Sequence, residues 1–182
     1  IRRQSGFLGS AFDEAAALSN RGSAKQALGD IVGAIRDYDE ALRLNPAFSE
    51  IYYNRGIAWS ITGDFAKAES DYALCIERNP SFPNAYVNRG ALRHFRGDLS
   101  GALADCDRAI ALVPEFTEAY LTRARVYLQR GESQRAIEDI DRVLAKRPDA
   151  TMFAKRARLR LAAGDLSGAL EDFERAISDP AP

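Results

Sequence analysis

The chain has 182 residues, with 25 lysines and arginines against 26 aspartates and glutamates, a formal net charge of -1, and 46% apolar residues. This composition argues against a disordered, collagen-like or low-complexity chain, and the balanced charge argues against a protein built mainly to coat nucleic acid or an anionic membrane. Because no apolar run approaches the roughly 18 residues of a membrane-spanning helix, we expect a folded protein with no nucleic-acid partner and no membrane insertion.

The first 14 residues lie outside the pattern that organises the rest of the chain, and they carry Phe7, Leu8 and Phe12 among glycines and serines. We therefore predict a leader segment over residues 1–14 that caps the first structural repeat or occupies a groove of this or another copy. The sequence begins with Ile1 and not Met. The expected location is cytoplasmic, and the alternative is a periplasmic or exported protein whose leader was removed before Ile1.

From residue 15 onward the sequence repeats every 34 residues. Prolines recur at Pro46, Pro80, Pro114 and Pro148, and a glycine followed by an acidic residue recurs at Gly29, Gly63, Gly97, Gly131 and, after a deletion of one residue, Gly164. Three further columns keep this frame: Ala34, Ala68, Ala102, Ala136 and Ala169; Arg21, Arg55, Arg89, Arg123 and Arg156; Asp37, Asp71, Asp105, Asp139 and Asp172. Such a period indicates stacked repeats, here about 15–48, 49–82, 83–116, 117–149 and 150–182 within a domain over 15–182.

Each repeat is predicted to form a helical hairpin, because two stretches with helical apolar spacing flank the glycine and acidic residue. In the second repeat, Gly63 can take the left-handed conformation that ends a helix, and Asp64 favours the positive start of the next helix. Pro80 then ends the second helix. One hairpin is too small to bury its apolar face alone, so neighbouring hairpins must stack.

These residues make the chain similar to the tetratricopeptide repeat (TPR) family. The second repeat carries Tyr52, Arg55, Gly56, Trp59, Gly63, Asp64, Ala68, Tyr72, Leu74, Asn79 and Pro80, and the first carries Arg21, Gly22, Gly29, Asp30, Ala34, Tyr38, Ala41, Leu42, Asn45 and Pro46. The resemblance implies an all-α fold, a right-handed superhelical α-α solenoid of five helical hairpins, whose concave groove is lined by the first helix of every repeat.

Departures from the repeat pattern cluster late in the chain. Ala124 and Ala157 replace the earlier glycines, while Cys106 and Ile140 replace the aromatic residues Tyr38 and Tyr72. These small-for-small and apolar-for-apolar changes are expected to alter only the detailed packing of the later repeats.

The resemblance places function in the columns of first-helix residues that face the groove. One column contains Asn20, Asn54 and Asn88 and continues with Thr122 and Lys155. An asparagine side chain both donates and accepts hydrogen bonds, so a regular series of them can bind the backbone of an extended peptide. The alternatives are a solvated polar column, or asparagines that bond between adjacent helices.

Apolar residues in neighbouring columns are predicted to form shallow pockets for the side chains of such a peptide. They are Tyr53, Val87 and Leu121 in one column and Ile57 in another, with Leu128 and Leu161 near the far rim of the groove. The alternative is packing against the next hairpin, which applies to Val87 and Leu121 more than to Tyr53.

The fourth and fifth repeats are more basic than the first two. Arg125, Lys155 and Arg158 are expected to face inward, where they would prefer an acidic stretch or a free carboxylate of a partner. Family members that clamp the carboxylate end of chaperone tails use a set of Lys, Asn, Asn, Lys and Arg. Around Asn54 the corresponding positions carry Ser19, Ser23, Asn84 and Asn88, so no clamp of that type is predicted.

No catalytic, cofactor or metal site is expected. The single histidine, His94, has no carboxylate or cysteine partner at metal-binding spacing, and there is no glycine-rich phosphate loop. The two cysteines, Cys75 and Cys106, occupy core columns and are too few for a disulfide scaffold. They are predicted to be buried and inert, with a disulfide between second helices or a reactive thiol as alternatives.

The repeated arginines and aspartates are predicted to tie hairpins together.

The last repeat is followed by Asp179, Pro180, Ala181 and Pro182 without a polar capping helix. Leu166, Leu170 and Ile177 would then leave an apolar edge that suggests a homodimer, further repeats or a partner. The sequence thus predicts a non-enzymatic module that binds an extended peptide or partner segment in its groove. The alternative is a self-assembly or scaffold element of a larger protein or complex.

Overall fold

The computed structural model describes residues 2–178, with side chains from Phe12 onward. The side chains of Phe7 and Leu8 and the segment 179–182 lie outside the described residues. Across the described range there are ten helices and no strand: α1 (Arg2–Ala27), α2 (Ile31–Leu44), α3 (Ser49–Thr62), α4 (Phe65–Arg78), α5 (Pro83–Phe95), α6 (Leu99–Leu112), α7 (Thr117–Gln129), α8 (Ser133–Lys146), α9 (Ala150–Ala162) and α10 (Leu166–Ser178). The predicted all-α helical-repeat fold is confirmed.

Helix α1 runs without interruption through the predicted leader and into the first repeat. The ring of Phe12 meets that of Phe48 edge-on, with 4.5 Å between the ring centroids. The residues before position 15 therefore extend the first helix, and Phe12 lies against the start of α3.

The chain divides into two compact parts, Ile1–Leu92 and Arg93–Pro182, here called the N-terminal unit and the C-terminal unit. In the N-terminal unit, α1 packs on α2, α2 on α3, and α3 on α4. In the C-terminal unit, α6 packs on α7, α7 on α8, α8 on α9, and α9 on α10. Within each unit, these consecutive helices are neighbours, as in stacked hairpins. We call α1–α2, α3–α4, α7–α8 and α9–α10 the first, second, fourth and fifth hairpins.

The short turns inside the hairpins form as predicted. Gly63 has φ +82°, in the left-handed region that favours glycine, and ends α3. Asp64 then caps α4, because its side chain accepts a hydrogen bond from the amide of Lys67 at 3.4 Å. The same cap recurs at 2.9 Å in three other turns, from the amides of Gly33, Gly101 and Gly168 to Asp30, Asp98 and Asp165.

Small residues let the two helices of a hairpin approach closely. The repeated alanines are at most 2% exposed. In the second hairpin the ring of Tyr72 lies on Gly56, where a β-carbon would come within 2.7 Å of the ring. Gly22 and Tyr38 form the same pair in the first hairpin, at 2.8 Å. Each glycine is thus needed for the close approach of a tyrosine ring.

The repeated arginines tie helices together, as predicted, wherever both partners are described within one unit. Arg55 donates two hydrogen bonds to Asp71 of its own hairpin, at 2.7 and 2.8 Å, and one to Asp39 of the preceding hairpin, at 2.6 Å. Arg123 binds Asp139 and Asp107 in this way, and Arg156 binds Asp172 and Asp141. These guanidinium groups therefore stabilise the stack and have little capacity left for a ligand.

Candidate functional site

The predicted asparagine column is uneven in the N-terminal unit. Asn20 is exposed, and Asn54 and Asn88 are half-buried. The side-chain amide of Asn88 donates to the hydroxyl of Tyr53 at 3.3 Å, which joins α5 to α3. One N–H of the Asn88 side chain is therefore already bonded inside the protein, whereas the side chain of Asn20 is accessible to a partner.

The predicted apolar residues of this unit pack largely within it. Tyr53 is half-buried, and its ring lies 5.0 Å from that of Phe82 and 6.1 Å from that of Tyr72, measured between centroids. Ile57 is half-buried, and Val87 is only 6% exposed. Tyr53 and Ile57 thus offer shallow surface, while Val87 contributes to the core.

In the C-terminal unit, five of the predicted groove residues meet at one pocket. They line a concave space of about 210 Å³ and are Leu121, Arg125, Leu128, Lys155 and Arg158. Thr122 does not line this space, because its side chain is buried and only 4% exposed. The remaining lining is apolar and comes from Ala124, Ile140, Met152 and Leu159.

Three helices position this lining, which we call the basic pocket. The first helices α7 and α9 supply its walls and the cations, and the second helix α8 supplies Ile140 at its base. Arg125, Lys155 and Arg158 are exposed, and none forms a salt bridge with a residue in the described range. An apolar pocket with unpaired cations at its rim can bind a side chain and carboxylates together.

The sequence predicted shallow apolar pockets along the groove but not the full lining of this one. It identified Leu121 and the three cations as groove residues and placed Leu128 near the far rim, but it did not assign Ala124, Ile140, Met152 or Leu159 to a site. The signal that could have found them is the replacement of tyrosine by Ile140, noted above only as a packing change.

The two thiols lie in the core, as predicted. Cys75 and Cys106 are free and completely buried. Burial raises the pKa of the Cys75 thiol to about 11 and that of Cys106 to about 12. Both are therefore protonated and poorly nucleophilic at neutral pH.

Metal-binding clusters and membrane-spanning helices are both absent from the described residues. No cluster of three or more histidine, cysteine or acidic residues is arranged to hold a metal ion among them. No helix within residues 2–178 combines the length and apolarity needed to cross a membrane.

Three sequence models of the tetratricopeptide repeat match the chain, over residues 22–59, 49–82 and 121–182. Together they cover more than half of its length. The chain belongs to the TPR family. No curated protein gives a significant sequence match to this TPR protein.

Solved structures of other TPR proteins share the fold. Residues 41 to the end of MamA from Desulfovibrio magneticus RS-1 superpose with a TM-score of 0.82 at 20% identity, covering 91% of this chain and 94% of that one. YrrB, described as a TPR protein with an unusual peptide-binding site, gives 0.75 at 19% identity, covering 94% and 91%.

The first TPR domain of Spaghetti (RPAP3), solved with the HSP90 peptide SRMEEVD, gives a TM-score of 0.64 at 28% identity, covering 65% of this chain and 94% of that one. Family and fold place this TPR protein among protein–protein interaction modules, a class that is typically non-enzymatic.

Proposed function

We propose that this TPR protein binds an extended, acidic segment of a partner protein on the surface of its first helices. The observation that carries the proposal is the set of three exposed cations, Arg125, Lys155 and Arg158, around the basic pocket. The chain has 26 aspartates and glutamates that could pair with them. None of the three cations has a salt-bridge partner in the part of the chain that the structure describes.

Two arginines of helix α7 have different surroundings, which explains why Arg125 is available to a partner. Arg123 is held by Asp139 and Asp107, at 2.7 and 2.5 Å. Arg125, two residues further on, points to another side of the helix and lines the basic pocket. Its planar guanidinium group can take a carboxylate of the partner in a bidentate geometry, as Arg123 does within the protein.

Two structural neighbours support a peptide as the ligand. YrrB has a peptide-binding site, and the RPAP3 domain was solved with a peptide that contains acidic residues. In this chain, Ser19 and Ser23 stand where the chaperone-tail clamp has its first lysine and asparagine, and Asn84 and Asn88 stand where it has its later lysine and arginine. A partner other than a chaperone tail is therefore proposed. The N-terminal unit, taken by itself, offers the exposed Asn20 and the half-buried Asn54 as hydrogen-bonding groups for a peptide backbone.

The proposal can be tested with an array of acidic peptides, followed by titration of the hits by fluorescence anisotropy. The charge-reversal variant R125E/R158E should weaken binding by at least about tenfold, or about 1.4 kcal/mol, and should reduce its dependence on salt. The matched control is R108E/R142E, which changes two exposed arginines on the second helices by the same charge. Equal affinities for the two variants would overturn the proposal.

A second candidate function, self-assembly or a scaffold role in a larger protein or complex, is favoured by helix α10. Its side chains Leu166, Leu170 and Ile177 are 66%, 60% and 82% exposed, and such apolar surface commonly mediates association. A homodimer formed by this helix would dissociate in the variant L170D/I177D. Light scattering across a concentration series would show the change, and a wild-type protein that stays monomeric would exclude self-assembly through this helix.

A further inference from the structure

We propose that the basic pocket accepts one large apolar side chain of the partner, flanked in the partner sequence by carboxylates, and that Ile140 together with Ala124 determines this specificity. The inference rests on the proposed function and defines the ligand more narrowly. The equivalent position in the second hairpin carries the residue pair that would close such a pocket.

In the second hairpin, a tyrosine fills the space that corresponds to the basic pocket. Tyr72 lies on Gly56 and is 2% exposed. Its hydroxyl reaches the first-helix side of the hairpin, where it lies 3.2 Å from the hydroxyl of Ser60. Tyr53 packs against the same ring, with 6.1 Å between the centroids. In the first hairpin, Tyr38 likewise reaches Ser23 and Gln26, at 3.2 and 3.3 Å.

In the fourth hairpin, every one of these groups is changed. Thirty-four-residue spacing places Ile140 at the position of Tyr72, Ala124 at that of Gly56, and Leu128 at that of Ser60. A branched aliphatic side chain is shorter than a tyrosine and has no hydroxyl, so the space that the ring filled is open and apolar. All three residues line the basic pocket.

The size of the pocket matches one side chain. Its volume of about 210 Å³ exceeds the roughly 150 Å³ of an apolar cavity that accepts a benzene-sized molecule, and it is smaller than the roughly 300 Å³ at which pockets for whole small-molecule ligands begin. A leucine, methionine or phenylalanine side chain is therefore the fitting occupant. Met152 in the wall has an unbranched, adaptable side chain that can adjust to these shapes.

Charge around the opening selects the neighbours of that side chain. The positions of Arg125 and Arg158 are occupied by Ile57 and Ala91 in the second and third repeats, and the position of Lys155 is occupied by Asn88. The fourth and fifth hairpins thus carry cations at positions that are neutral in the earlier repeats. These cations lie around the pocket that the loss of the tyrosine opens. Carboxylates on either side of the inserted side chain would meet these cations.

The test uses two short acidic peptides, amidated at the carboxyl end and labelled with fluorescein. One has a single leucine between pairs of glutamates, and the other has serine in place of the leucine. Wild type should bind the leucine peptide about tenfold more tightly. The variant A124G/I140Y restores the glycine and tyrosine of the first two hairpins. It should lose the preference, bind both peptides as wild type binds the serine peptide, and keep the salt dependence.

A second variant keeps the test valid if the first one fails to fold. Leu128 is 38% exposed, so L128Q leaves the core intact and should reduce the leucine preference several-fold. The matched control V113Q changes an apolar residue at the end of α6 that is equally exposed, at 38%, and does not line the basic pocket, and it should have no effect. Equal binding of both peptides by wild type, or a preference that survives both pocket variants, would overturn the inference. If R125E/R158E still weakens the binding of both peptides in that case, the proposed function stands and only the side-chain specificity of the pocket is wrong.

Discussion

The pairing of Gly56 with Tyr72 predicts that the same glycine-to-alanine change has opposite effects in two backgrounds. In wild type, the new β-carbon of Gly56→Ala would lie 2.7, 2.9 and 3.3 Å from three atoms of the Tyr72 ring. The ring cannot retreat freely, because it is buried and its hydroxyl lies 3.2 Å from that of Ser60. In a Tyr72→Ile background, the obstacle is gone.

The magnitude follows from two opposing contributions. Forcing a methyl group into a packed site costs roughly 1–3 kcal/mol, whereas alanine is favoured over glycine inside a helix by about 1 kcal/mol. Gly56→Ala should therefore destabilise wild type by about 1 kcal/mol. In the Tyr72→Ile background, only the helix propensity remains, and the change should stabilise by up to about 1 kcal/mol. The coupling between the two positions is then about 2 kcal/mol.

Urea unfolding of the four proteins of this double-mutant cycle measures the coupling. Trp59 is the single tryptophan and lies in α3 of the same hairpin, so its fluorescence reports on the affected region. The pair Ala124 and Ile140 in the fourth hairpin already shows the combination that the double variant creates. Additivity within about 0.5 kcal/mol would refute the packing argument.

Two further predictions concern titratable groups. Hydrogen bonds from Arg21 lower the pKa of Asp37 to about 2, so this carboxylate contributes stability above about pH 4, which is lost as the pH falls toward 2. Asp37→Asn should cost about 1 kcal/mol at pH 7, given the exposed arginine, and the gap to wild type should close in acid unfolding curves between pH 4 and 2; a constant gap would contradict this. Cys75 and Cys106, with pKa values of about 11 and 12, should react with a thiol reagent at pH 8 only after denaturation, and rapid modification of the folded protein would show that they are accessible.

The repeat pattern was sufficient to predict the fold. A 34-residue period fixes the length of each hairpin, and the glycine and aspartate of each turn act through local geometry, as Gly63 and Asp64 show. The pairing of repeated arginines and aspartates was also predictable, because both columns recur at the same spacing. What the period could not reveal was that Arg55 also binds Asp39 of the preceding hairpin, since that aspartate recurs in only some repeats.

The binding surface depended more on packing than on residue type. From the sequence, Asn20, Asn54 and Asn88 form one equivalent column, but Asn88 bonds to Tyr53 and Asn20 is exposed. Thr122 continues the column and is buried. Equivalent positions in a repeat share a backbone location, whereas their exposure depends on side chains contributed by the neighbouring helices.

The repeat, the hairpins, their turns and the cations late in the chain could all be predicted from residue types and their spacing. The packing of the helices was needed to show that two aspartates hold Arg123 while Arg125 lines an open pocket. The packing also shows that Ile140, which is smaller than the tyrosine of the first two hairpins, keeps this pocket open next to Ala124. The physical reason is that charge and period are properties of single residues and their spacing, whereas a cavity or an unpaired charge is a property of the space between helices α7, α8 and α9.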